Sequence, residues 1–364
     1  MTICISVDGT AEYQSDAPAN EILVGTVGGV LFLNRESKGA PWREARRALE
    51  GKHVSSLAPD PKRGLIFAGV YKDGVYVSKD GGQTWDKKVN GMEFTDVYSV
   101  NLTETNGEVR LYAGTEPAHL YLSKDLGETW EELPALRSVG TVDKWSFPAP
   151  PHIGHVKHIT FDPRSSDVMY ASVEVGGALK SEDGGRTWRD LPGVYEDVHR
   201  VVIPPTQPDN LYTTGGEGVW HSANAGGNWI HLSPNSAGIT YPDGFVLHPE
   251  NPDLMFASGS ICSPGAWRQA GTADSRIARS RDRGETWERL GGGLPENLHG
   301  NFEALMMNTF PGGFSLTTAN TDGEVYHSDD GGETWTRIAQ GVPAVSKGGH
   351  YRNIPGGPAL AGAH

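Results

Sequence analysis

Seven polar residues recur at one position of a repeating pattern. His53, Asp96, His155, Asp197, Tyr241, Asn301 and His350 each stand four places before an apolar residue: Leu57, Val100, Ile159, Val201, Phe245, Leu305 and Ile354. Every one can hydrogen-bond, titrate or ligate a metal. In chain order on a closed ring, His350, His53, Asp96 and His155 form one continuous arc. Three imidazoles (His53, His155, His350) beside a carboxylate suit Zn, Fe or Mn. Three protein ligands with one open position are the catalytic version of such a centre, and its bound water supplies the nucleophile or base. Without metal, Asp96, Asp197 and Tyr241 join the histidines as acid–base groups. A third reading is a water-lined channel whose polar residues only satisfy backbone groups.

The register comes from a second pattern, Ser-x-Asp-x-Gly-x-x-Trp. It occurs at Ser78/Asp80/Gly82/Trp85, Ser123/Asp125/Gly127/Trp130, Ser181/Asp183/Gly185/Trp188, Ser280/Asp282/Gly284/Trp287 and Ser328/Asp330/Gly332/Trp335. Asn224 replaces Asp in Ser222/Asn224/Gly226/Trp229, and a worn copy lies at Arg35/Ser37/Gly39/Trp42. Self-similarity at 41 to 58 residues marks a repeat architecture. The Asp or Asn accepts from turn N–H groups, the Gly supplies positive φ, and the Trp buries a large apolar body. The motif fixes a turn and holds nothing arranged for catalysis.

Around each copy the chain reads as four short strands. LIFAGV and GVYVS precede the first full box and TWDKKV follows it. Repeated seven times, this predicts an all-β, seven-bladed β-propeller in one domain. The expected blades are approximately 22–48 plus 349–355, 52–90, 95–133, 154–191, 196–232, 240–290 and 300–340. A C-terminal strand at 348–357 is expected to close blade 1, which leaves Met1–Val7 as a strand without a place. PWREARRAL has helical propensity, but its register puts it in a strand.

The chain has 364 residues and a formal net charge of −14, which argues against nucleic acid or an anionic membrane as partner. Its two cysteines, Cys4 and Cys262, give neither a disulfide framework nor a CxxC metal motif. The N-terminus lacks a basic, then apolar, leader pattern. The expectation is a cytoplasmic protein with a small-molecule substrate and no nucleotide cofactor; the oligomeric state is left open.

The boxes resemble the Asp-box (BNR) repeats of sialidases, sortilin-type receptors, xyloglucan-active glycosidases and a photosystem II assembly factor. The resemblance covers residues of about 22–355 and implies the fold, not the function. Sialidases carry a Phe/Tyr-Arg-Ile-Pro motif early in the chain. The nearest string here, Tyr351-Arg352-Asn353-Ile354-Pro355, has an inserted Asn and lies at the other end, so classical sialidase activity is not expected. Xyloglucan-active relatives use two propellers, and this chain reads as one.

In propellers a site forms at the channel mouth opposite the boxes. Long inserts at 135–155 and 261–276 enter that face, and long loops in compact repeats tend to carry function. With shorter loops they bring Tyr71, Glu116, His119, Trp145, Glu174, Glu217, Arg268, Arg276, Asn301 and Arg352 as candidate substrate-binding residues. Arginines there suit a carboxylate or phosphate. The expected function is a hydrolase or lyase acting on a small polar or carboxylate-bearing molecule. One alternative is a non-catalytic scaffold that holds a protein on the propeller face. Another is a glycoside hydrolase using Asp96 with Asp197, or Glu116 with Glu174. His158 and His199 read as core histidines with satisfied hydrogen bonds.

Overall fold

A computed structural model describes residues 2–105, 107–232 and 237–354, without the side chains of Tyr351 and Asn353. Seven separate sheets are present. Blade 2 shows the plan: His53–Asp60, Leu65–Tyr71, Gly74–Ser78 and Asp86–Lys88 pair in order, each antiparallel to the last. The seven sheets form a β-propeller whose apolar residues pack between neighbouring blades. Phe67 and Val75 of blade 2, for example, meet Val97, Val100 and Leu111 of blade 3. No helix among the described residues is long and apolar enough to cross a membrane.

The boxes fold as turns. In blade 7, Ser328 Oγ accepts from the Gly332 N–H (2.8 Å) and donates to Asp330 Oδ1 (2.8 Å). Asp330 in turn accepts from the Thr334 N–H (2.9 Å) and the Thr334 hydroxyl (2.6 Å). The Trp335 indole N–H closes the turn on the Gly332 carbonyl (3.0 Å). Gly332 has φ +94°, a conformation that side chains disfavour. The degenerate first copy leads into the strand Arg43–Ala48, as its register requires.

Closure differs from the sequence expectation. His350–Asn353 is a 3-10 turn, not the first strand of blade 1, and 355–357 lie outside the described residues. The place is taken by Ile3–Ile5, which pairs parallel to Glu21–Thr26. The reason is apolar burial. Ile3, Cys4 and Ile5 are all 0–1 % exposed, so both faces of this short strand are covered. A parallel strand buried on both faces reads as a continuous apolar run, whereas the C-terminal stretch offers Gly348, Gly349, His350 and Arg352.

Residues 6–12 then cross the channel. The Asp8 and Thr10 N–H groups donate to the Ser55 and Leu57 carbonyls of blade 2. Arg200 of blade 5 donates to the Val7 carbonyl (2.7 Å), and Glu12 accepts from the Leu247 N–H of blade 6 (2.7 Å). Glu12–Gln14 finally adds a parallel fifth strand to blade 7. Outside the ring, Arg35 grips Asp329 through two contacts (2.6 and 3.0 Å), tying blade 1 to blade 7.

If Ile3–Ile5 closes the ring, Ile5→Ala destabilises the fold by about 2–5 kcal/mol, the cost of truncating a buried isoleucine. Urea denaturation measures this, and a loss below about 0.5 kcal/mol would contradict the assignment.

Candidate functional site

The innermost bladed strand of blades 2 to 7 skips one residue in its pairing with the next strand. The skipped residues are Ser55, Tyr98, Lys157, His199, Asp243 and Glu303. Such a bulge re-aims a side chain, and all six residues are buried. Those of blades 4 to 7 converge on Lys347, a buried lysine that arrives after the last blade. Its ammonium lies 2.7 Å from Asp243 Oδ1, 3.0 Å from Glu174 Oε1 and 3.4 Å from His199 Nε2. Its backbone N–H donates to Glu303 Oε2 (2.6 Å). Lys157 adds a second ammonium, 3.2 Å from Asp8 and 3.4 Å from Glu174.

The electrostatics follow from this packing. Burial alone would raise Glu174, but Lys157, Lys347 and the His155 hydrogen bond outweigh it and hold the carboxyl well below its ordinary range. Asp243 is likewise lowered, because Lys347, His199 and Lys157 outweigh its burial. Burial would lower Lys347, yet Asp243 and Glu174 keep it charged and raised.

Six of the seven aligned residues stand two places before the skipped one, at the start of their inner strands, whereas His350 lies in its 3-10 turn. Asp96 faces Glu116 and His53 faces Tyr71 across the first rung of their blades. The Glu116 carboxylate receives the hydroxyls of Tyr71 and Tyr98, both at 3.2 Å. His155 stands between two carboxylates, with Nε2 donating to Glu174 (3.0 Å) and Nδ1 3.6 Å from Glu116. Tyr98 stacks on that imidazole at 3.8 Å. Burial and the neighbouring Glu116 charge raise the pKa of Asp96. Asn301 donates to Asp243 (2.7 Å), and Tyr241 lies under the Lys347 ammonium (5.1 Å).

The expected trio of histidines does not share a centre. His53 Nε2 donates to the Ser346 carbonyl (2.9 Å), His155 is held by Glu174 and Glu116, and His350 Nδ1 lies 3.5 Å from Glu303. Burial pushes His53 down to about 4, so it is neutral at pH 7. Among the described residues, the ligand-type atoms that gather within 4.8 Å belong to Glu174, Asp197 and His199. The Lys347 ammonium already supplies a cation to that group, so the donor set fits a lysine better than a metal ion.

Above Glu116 opens a cleft of about 790 Å³. Its walls include His53, Tyr71, Lys72, Tyr98, Glu116 and Phe147. The insert 135–155 does reach it: Phe147, Ala149, Pro150 and Pro151 line one side, and Phe147 stacks on His350 at 6.0 Å. Arg352 stands at the rim.

Other candidates lie elsewhere. Trp145 anchors the insert, with its indole N–H on Thr141 (3.1 Å) and its ring against the blade 4 core. His119 pairs with Glu132 (2.8 Å). Arg276 pairs with Asp274 (2.7 Å). Arg268 is exposed on the short helix Pro264–Ala270, whose Trp267 is fully buried against Ala273 and Ile354. Glu217 is exposed, and its carbonyl accepts from His231.

Lys157, Asp243, Glu303 and Lys347 are absent from the sequence-based set, and His199 belongs to a charged cluster, not to plain core. A signal existed for four of them. Two places before each aligned apolar residue, where an inner strand has no reason to bury charge, stand Lys157, His199, Asp243 and Glu303. Lys347 lies outside the repeat and had no such signal.

Seven four-stranded units with box turns define the class: this is a seven-bladed β-propeller with Asp-box turns. The BNR/Asp-box repeat family model matches residues 76–87 and 326–337. Xyloglucanase Xgh74A of Acetivibrio thermocellus is 28% identical over 282 residues, 65% of this chain and 32% of that protein. The chain thus spans about a third of that relative's length. Among solved structures, an ancestral GH74 enzyme superposes with a TM-score of 0.60 at 18% identity, covering 79% of this chain and 38% of the other. YCF48 bound to a D1 peptide superposes with a TM-score of 0.56 at 16% identity, covering 86% and 91%. At these identities the structures establish the shared fold.

Replacing Lys347 by Met takes the nearest ammonium from Asp243 and one of two from Glu174 and costs about 3–5 kcal/mol at pH 7. In the native protein Glu174 and Asp243 are depressed. Their contribution is therefore present above the unfolded carboxyl range and lost as pH falls through their folded values. In Lys347→Met the orphaned acids take up protons instead, so the deficit relative to wild type narrows from pH 7 to pH 4. Denaturation across that range checks it; a pH-independent deficit would refute the charge pairing.

Proposed function

We propose that this protein is a hydrolase that acts on a small polar molecule in the cleft, with Asp96 and Glu116 as its acid–base pair. The observation behind this is the rung they share, in which burial and then the charge of Glu116 raise the Asp96 carboxyl. Paired carboxyls in unlike environments divide acid and base roles. Asp96, half-buried and raised, is the group that donates a proton. Glu116, cradled by the Tyr71 and Tyr98 hydroxyls, is the base or nucleophile. The pair Glu116 and Glu174 is a weaker choice for substrate, because the His155 ring fills the space between them. The cytoplasm is the proposed location.

The mechanism needs the cleft to hold a scissile bond against Glu116 while Asp96 protonates the leaving group. His155, fixed by Glu174, steadies Glu116 from below. The cluster around Lys347 supplies a rigid, charge-balanced floor, so the groups above it hold their geometry without solvent rearrangement.

A screen of 4-methylumbelliferyl glycosides and 4-nitrophenyl esters tests the reading. Wild type turns over at least one class, and Glu116→Gln and Asp96→Asn each lower kcat/KM by about 10²–10⁴-fold at unchanged thermal midpoint. Equal rates in these variants would remove the pair from the mechanism. A wild-type protein inert toward both classes, whose cleft variants lose a protein partner, would favour the scaffold. Elemental analysis of the same preparation reads out the Zn, Fe or Mn alternative: stoichiometric metal lost in His53→Ala would restore it.

A further inference from the structure

One lysine of the cleft differs in its pairing from its neighbours. Four cationic residues line the cleft: Arg47, Lys52, Lys72 and Arg352. Arg47 is held by Glu44 (2.8 Å), and Lys52 is bonded to Asp73. Lys72 has no carboxylate at ion-pair distance among the described residues; its ammonium lies over the Tyr71 ring at 5.2 Å. It stands at the tip of the hairpin between Leu65–Tyr71 and Gly74–Ser78, with φ +66°. A turn with that backbone is cheapest with Gly or Asn, so local folding does not call for lysine. Arg352 is exposed and also lines the cleft, and both cations act on His53, whose ring burial has already made neutral.

We propose that the Lys72–Arg352 side of the cleft binds an anionic group of the ligand, a carboxylate or a phosphate monoester. The rest of the ligand then lies along Tyr71 and Phe147 toward Glu116. The Lys72 ammonium and the Arg352 guanidinium supply the charge, and the guanidinium adds a planar fork of donors. In a chain with 31 basic and 45 acidic side chains, two cations lining one cleft select anions that the remaining surface repels.

This inference rests on the cleft being the ligand site, and its test reads binding, not turnover. Isothermal titration uses three probes that share one ring and differ at a single carbon: D-glucose, D-glucuronate and D-glucose 6-phosphate. One or both anions are expected to bind at least tenfold tighter than glucose, and the tighter one names the group. Lys72→Gln lowers that affinity at least tenfold, Lys72→Arg retains it, and added salt weakens it. Glu116→Gln retains the preference for the anion over glucose while turnover falls as stated above. The subsite can therefore survive failure of the catalytic reading, and the catalytic reading can survive failure of the subsite. No binding of either anion at millimolar concentration, no preference over glucose, or an unchanged affinity in Lys72→Gln overturns the proposal.

Discussion

A propeller has to join its last blade to its first, and here that constraint is met by three apolar residues. Ile3, Cys4 and Ile5 lie against Glu21–Thr26 as the innermost strand of blade 1. Because this strand comes from the N-terminus, the chain must leave it from inside the ring. The crossing of residues 6–12, the pairing of Glu12–Gln14 with blade 7 and the burial of Asp8 beside Lys157 all follow from that start. The C-terminal stretch is freed from closing the ring, and it is this stretch that carries Lys347 into the centre.

The centre is polar in a way an ordinary core is not. Burying one charge without a partner costs several kcal/mol, so buried ions come as balanced sets or not at all. The bulges make the set possible. In blades 4 to 7 the inner strand gives up one backbone pairing, and the residue so released, Lys157, His199, Asp243 or Glu303, joins the buried polar set. A charge-balanced set of this kind is geometrically demanding, and it holds Glu174 against His155, which in turn meets Glu116.

Much of this was legible before any coordinates. The Ser-x-Asp-x-Gly-x-x-Trp copies set the blade register because the turn needs each of those residues for a specific hydrogen bond or φ value. That register in turn placed Asp96, Glu116, His155 and Glu174 at one mouth. Closure was misread because Ile3–Ile5 is too short to outweigh a longer C-terminal stretch, and parallel pairing over a crossing segment leaves no periodic trace. The histidines were grouped by ring position alone. Which nitrogen meets which oxygen depends on one-residue bulges, and a pattern read four places from an apolar residue does not register them. Lys347 sits beyond the last repeat, where no periodicity could flag it.

The crossing segment also decides how the ring bears load. Residues 6–12 are bonded to blades 2, 5 and 6, and Glu12–Gln14 is paired into blade 7. A pull on the N-terminus is therefore shared among blades on opposite sides of the ring instead of peeling one strand from one edge.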